Sequence, residues 1–391
     1  MPTELSQHWR LQPGVTFLNH GSFGPSPIVV CREREAWSAE LEREPMDFFV
    51  RRLGPALDEA SATVASFFGT SARNLAFVPN ATWGMNCVAA SVPLQPGDEV
   101  LLTDQEYGAV VRIWGQRCAQ VGARTTLARL PSPPESAEQF VNAIVAAITP
   151  KTRLLIVSHV TSQTSTVFPV SAICQAAKAR GVPVCIDGPH ALAMRDVNLD
   201  QIGCDYYCAS GHKWLSGPFG SGFLYVSPAK QGSLRPAIVS WGKRLDDAQS
   251  SWRDELHWFG TSDPAPFLAL PAAIEFLREY RLEKFRTETH DLAQYARQQL
   301  IEHADAEPIT PDSIDWYGSM VTMRLPRVVP SASWPARQHP LQIEMWERHR
   351  IEAPVIQWKD AVHVRVSCHL YNDTADVDRL VQAVRQFTVE Q

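Results

Sequence analysis

Two side chains near the middle of the chain have the types and surroundings for amine–carbonyl chemistry. They are Lys213, in Ser210-Gly211-His212-Lys213-Trp214, and Asp187, in Asp187-Gly188-Pro189-His190-Ala191. Large apolar residues, Tyr207, Trp214, Leu215 and Phe219, lie close to the lysine in sequence, and an amine desolvated in such a place has a lowered pKa and becomes a nucleophile or a base. Such an amine traps an aldehyde as a Schiff base. Asp187 supplies the carboxylate that keeps a pyridine nitrogen protonated, so the pair suits a pyridine aldehyde that acts as an electron sink. Ser210 and His212 add donors where a phosphate would sit. The ordinary reading of a lysine is a surface charge; here the break from an apolar run into small and polar residues argues for a site.

The elements around the pair place it at a sheet edge. Val182 to Ile186 is short, apolar and β-branched and reads as a buried strand that delivers Asp187 at its C-terminal tip. Cys204 to Ala209 is a second such run, and Gly217-Pro218-Phe219-Gly220-Ser221-Gly222 leads into a third over Phe223 to Val226. Ligands of open α/β sheets bind at that carboxyl edge. The Gly-x-x-Gly-x-Gly turn enters a strand, whereas a dinucleotide fingerprint opens a helix, so nucleotide binding is the weaker reading.

Asp-Gly-x-His-Ala followed by Ser-x-His-Lys-Trp and the glycine-rich turn resembles the class V aminotransferase family of pyridoxal phosphate (PLP) enzymes. Within it the likeness is to the isopenicillin N epimerase-like branch, which also includes C–S lyases. The resemblance runs from Leu18-Asn19-His20-Gly21 to Val364-Arg365-Val366-Ser367. It implies pyridoxal 5′-phosphate as cofactor and the α/β fold of type I PLP enzymes. That fold has a large domain over 23–275, built on a mainly parallel seven-stranded sheet flanked by helices. A smaller α/β domain is formed by 1–22 with 276–391. It further implies an amino acid substrate and a homodimer with shared active sites.

The resemblance also assigns residues. Pro79-Asn80-Ala81-Thr82-Trp83-Gly84 is a small-residue turn opening a helix, where free backbone N–H groups and the dipole's positive end converge on one point. Ala81 and Thr82 would hold the cofactor phosphate there, beside Ser210 and His212. Tyr107 would stack on the pyridine ring, His190 would reach its O3′ side, and Thr261 of Gly260-Thr261 would reach a partner's phosphate. Asn19 would contact substrate or cofactor. Relatives often carry asparagine where this chain has Ser162, near the phenolic oxygen and the substrate. Arg365, inside an alternating strand where a guanidinium ordinarily faces solvent, matches the substrate-carboxylate arginine, whose planar fork grips a carboxylate with two parallel hydrogen bonds.

At 391 residues the chain can form two domains with sizeable cores. Its net charge of −6 gives no basic footprint for nucleic acid or an anionic membrane. It has no apolar run long enough to span a bilayer, and Met1 to Arg10 lacks the features of a secretion signal, so the cytoplasm is expected. The eight cysteines are scattered without metal-ligand spacing, and no metal is expected. Helical spacing over Ile28 to Phe68 is interrupted at Glu44-Pro45 and Gly54-Pro55, predicting two or three helices. Alternating strands and helices from Leu75 to His159 predict a parallel sheet. Beyond Leu282–His303, a long helix, the pattern predicts strands over Ser319–Leu325 and Ala361–Ser367 and helices over Gln338–His349 and Thr374–Phe387.

The reaction implied begins when an amino acid displaces Lys213, which then serves as general base while Arg365 holds the carboxylate. Reprotonation at Cα gives an epimerase or racemase, and loss of a β-substituent gives a lyase; transamination is a further alternative. Epimerisation needs a proton donor on the opposite face, for which Tyr107 and His20 are candidates. Persulfide-forming cysteine desulfuration is disfavoured, because Trp334 to His363 contains no cysteine. A PLP-binding protein without turnover would not need both a Schiff-base lysine and a substrate arginine.

Overall fold

The computed structural model describes residues 4–244, 250–332 and 338–390. A seven-stranded sheet runs in the order Leu75–Val78, Gly222–Val226, Tyr206–Ser210, Val184–Asp187, Thr152–Ser158, Glu99–Thr103, Arg124–Ala128. Gly222–Val226 pairs antiparallel with both its neighbours, and the other pairings are parallel. Five of the strands are buried along their whole length, which is why they read as continuous apolar runs and not as alternating ones.

Side chains still alternate between faces. Phe77, Val157, Ile186, Tyr207 and Phe223 pack in one core, and Val78, Ile156, Cys185, Cys208 and Leu224 in another. Parity therefore sends Asp187 and Ser210 to the second face, where the helix Ala81–Ser91 packs through Ala81, Met85 and Val88. His159 has the opposite parity, beneath the sheet, where its Nδ1 lies 2.9 Å from Tyr207 Oη.

A smaller antiparallel sheet follows, in the order Val355–Trp358, Ala361–Ser367, Met320–Arg324, Glu307–Pro308. Val362, Val364 and Val366 pack in a core with Leu300 of the long helix Leu282–Ala304 and Leu380 of Thr374–Glu390. Arg365, one residue out of phase, emerges on the other face. The N-terminal segment docks on this unit, with Thr16–Phe17 pairing parallel with Ile351–Glu352 and Asn19 bridging to Ser367.

Two local expectations are corrected. Gly54-Pro55 does not interrupt a helix: Leu53–Phe67 continues from the tighter-bonded segment before it, and Pro55 falls in its first turn, where a missing N–H costs least. The strand Val355–Trp358 was not anticipated. It forms a hairpin with Ala361–Ser367 through Lys359-Asp360, both at positive φ (48° and 59°), the conformation of a type I′ turn without its usual asparagine or glycine.

Candidate active site

At the carboxyl edge of the large sheet lies a cavity of about 290 Å3, lined among others by Gly21, Ser22, Phe23, Ala81, Thr82, Tyr107, Ser162, Asp187, His190, Ser210, His212 and Lys213. The strand tips place Asp187 and Ser210 there, and the turn after Tyr206–Ser210 brings Lys213 round to face them. Most of the residues singled out in the sequence converge on this one space. Thr261 does not; it is exposed and outside the cavity of its own chain.

Lys213 is fixed at both ends. Its Nζ lies 2.9 Å from His190 Nε2, and Trp214 Nε1 donates to His190 Nδ1 at 3.4 Å. That bond places the imidazole proton on Nε2, facing an amine that accepts it when neutral. Burial lowers the Lys213 pKa to about 7; the nearby Arg365 charge lowers it further, and Asp187 opposes both. At its backbone, the Lys213 carbonyl accepts from Ser216 N at 2.7 Å and faces His20 Nε2 at 3.0 Å. His20 Nδ1 in turn lies 2.9 Å from Tyr371 Oη. Both ring nitrogens of His20 are thus engaged in the core beneath the lysine, and burial pushes its pKa down to about 3. The expectation that His20 is a proton donor to substrate is corrected: it positions the lysine turn.

Gly188 admits the turn after Asp187. A Cβ there would come within 2.0 Å of the Tyr207 ring. The Asp187 carboxyl is buried and has no hydrogen-bond donor or ion-pair partner among the described residues; burial raises its pKa to about 6, against the pull of Lys213. Behind it lies a group that sequence reading passed over. Glu106, fully buried, accepts from Thr103 Oγ1 (2.6 Å), Ser158 N (3.2 Å) and Ser158 Oγ (2.7 Å), and burial raises its pKa to about 7. It ties the Tyr107 turn to the neighbouring strand. An acid immediately before the stacking aromatic was the available signal.

Opposite the lysine, the Arg365 guanidinium is buried with no carboxylate partner among the described residues. Nη1 donates to Ser162 O (2.7 Å) and Ser162 Oγ (3.2 Å), and Nη2 to Asn19 Oδ1 (3.3 Å) and Ser22 Oγ (2.5 Å). Nε has no partner. Desolvation lowers even this guanidinium's pKa, to about 10. A buried cation supported only by neutral acceptors is a standing receptor for an anion. Ser22, three residues after Asn19, was the missed member of this clamp.

On the other side, Ala81 N donates to Ser210 Oγ at 3.0 Å, at the start of the helix Ala81–Ser91, and Asn80 caps that helix through Trp83 N at 3.0 Å. His212 Nδ1 is buried without a partner. An orphaned ring nitrogen, two hydroxyls and a helix N-terminus together fit a phosphate. Tyr107, 46% exposed, stands at the mouth with its ring available for stacking.

A buried amine, a buried carboxyl facing it and a phosphate cradle at the carboxyl edge of a mainly parallel sheet define a type I PLP-dependent enzyme. The chain belongs to the class V aminotransferase family: the family described as Aminotransferase class-V matches residues 33–380. It is 38% identical over 393 aligned residues to an isopenicillin N epimerase of Amycolatopsis lactamdurans, covering 97% of this chain and 96% of that one. A second relative named isopenicillin N epimerase, from Streptomyces clavuligerus, is 35% identical, covering 97% and 96%. Among solved structures, a cysteine desulfurase of Escherichia coli superposes with a TM-score of 0.81 at 22% identity, covering 99% of this chain and 98% of that one, a likeness of fold. The protein is a PLP-dependent enzyme acting on an amino acid.

The residues present fit the cofactor. Asp187 would hold the pyridinium nitrogen, the 81–82 turn with Ser210 and His212 the phosphate, Tyr107 the ring face, and Lys213 the aldehyde carbon. Among the described residues no group of three or more His, Cys, Asp or Glu could hold a metal ion, and no helix is long and apolar enough to cross a membrane.

Proposed function

We propose that the protein is an amino acid epimerase that inverts the configuration at Cα. The observation that carries this reading is the identity of 38% and 35%, across almost the whole chain, to two relatives named isopenicillin N epimerase. When bound, PLP supplies an electron sink conjugated to the substrate's amine. This chain's residues do the rest. Arg365 grips the α-carboxylate and fixes how Cα presents its hydrogen. Lys213 Nζ, close to neutral at physiological pH, takes the Cα proton. Asp187 keeps the pyridine nitrogen protonated. The Tyr107 phenol, now that His20 is accounted for in the core, is the group we assign to deliver a proton on the second face.

The cysteines support inversion over persulfide formation. All except Cys31 are buried, and burial raises the Cys368 thiol well above its ordinary range, so none resembles a mobile nucleophile beside Arg365. The exposed position of Thr261 favours a homodimer in which this residue completes the partner's phosphate site, and we place the enzyme in the cytoplasm. Chiral chromatography of products from the L and D forms of candidate substrates, beginning with isopenicillin N and with pyruvate assayed in parallel, tests the proposal. Interconversion without pyruvate supports it. Pyruvate and ammonia with no inversion would make the enzyme a lyase.

A further inference from the structure

The cavity that would receive the cofactor, at about 290 Å3, is at the lower edge of the roughly 300–1,000 Å3 of small-molecule pockets. A substrate side chain extending beyond Cα therefore needs other space. A second cavity of about 460 Å3 adjoins the first: Phe23 lines both, and Asn19, whose Oδ1 accepts from Arg365, is on its wall. Its remaining walls combine Phe17 and Trp346 with Gln12, Gln342 and Glu352. The N-terminal segment thus contributes both to the carboxylate clamp, through Asn19 and Ser22, and to this chamber, through Gln12 and Phe17.

The polar groups of the chamber are complementary to one functional group. Gln342 Oε1 accepts from Val355 N at 3.0 Å, which commits its carbonyl and leaves its N–H donors. Glu352 has no ion-pair partner among the described residues, and burial raises its pKa, yet no lysine or arginine lines the chamber. A donor amide beside an acceptor carboxylate, between aromatic walls, matches a secondary amide carried on apolar bulk. We propose that this chamber is the side-chain subsite. In it the enzyme takes amino acids whose long side chain contains an amide, with the amide carbonyl on Gln342 and its N–H on Glu352. This assignment rests on the epimerase reading only in placing Cα at Lys213.

Titration of the holoenzyme's cofactor absorption reports amino acid binding whatever reaction follows, so the subsite can fail while the reaction stands, and the reverse. The probes are Nδ-hexanoyl-L-ornithine, a hydrocarbon amino acid of equal length, and L-alanine. The amide probe should bind at least tenfold more tightly than the hydrocarbon. Glu352→Leu should remove about that factor for the amide probe and leave alanine within twofold. Gln12→Trp, a change at an exposed position that fills the chamber, should weaken both long probes and spare alanine. Equal affinity for amide and hydrocarbon, or losses that fall equally on alanine, would overturn the assignment.

Discussion

The ε-amine of Lys213 lies 2.9 Å from Nε2 of His190, whose other nitrogen accepts from the Trp214 indole. The chain thereby holds the amine in a defined place and, through burial and the nearby Arg365 charge, in a form that is half neutral near pH 7. In the cofactor-free protein, the rate of PLP capture should rise with pH through about 7, because the neutral amine is the nucleophile. Stopped-flow absorption across pH 5 to 10 measures it. A midpoint near the ordinary lysine value would contradict the described environment. Lys213→Ala should abolish borohydride-fixable cofactor altogether.

Arg365 enters the same measurement from the other side. Its charge lowers the Lys213 pKa, so Arg365→Leu should move the capture midpoint upward while removing the carboxylate receptor. Two hydrogen bonds to a charged group at about 1.5–3 kcal/mol each correspond to a rise of 100-fold or more in the amino acid's dissociation constant. Binding of the matching amine without a carboxylate should change little. Arg365→Lys keeps the charge but loses the fork, and should fall between.

Tyr107→Phe separates the two faces of the reaction. If the phenol is the second acid, the variant should still wash the Cα hydrogen out of the enantiomer served by Lys213, while inversion falls by about 100-fold or more. The stacking ring is retained, so cofactor absorption should be unchanged. An equal fall in washout and inversion would remove Tyr107 from this role.

Gly188→Ala tests the packing that aims Asp187. The added methyl would meet the Tyr207 ring, and overpacking of this kind costs about 1–3 kcal/mol. Urea unfolding should register that loss, together with weakened cofactor binding. A variant as stable as the parent would show that the turn relaxes freely.

The large sheet was legible because its strands are buried on both faces and end in turn residues, so Asp187, Ser210 and Lys213 could be placed at its edge from the sequence. The resemblance supplied roles for Arg365 and Asn19, but not the means by which the arginine is held. Ser22 and the Ser162 carbonyl reach it from segments far apart in sequence, and only tertiary packing brings them together. The hairpin at Val355–Trp358 was hidden because Lys359-Asp360 makes its turn without glycine or asparagine. His20 was misread for a similar reason. A histidine in a turn looks available to substrate until its two nitrogens are found on Tyr371 and on the lysine's own carbonyl.

The most direct test of the central claim is proton NMR of each enantiomer of an accepted amino acid incubated with the holoenzyme in deuterated water. The account predicts that deuterium enters Cα from both enantiomers, that optical activity is lost at a comparable rate, and that no pyruvate forms. Retention of the Cα hydrogen in both enantiomers of a bound amino acid, or exchange accompanied by pyruvate and no inversion, would contradict it.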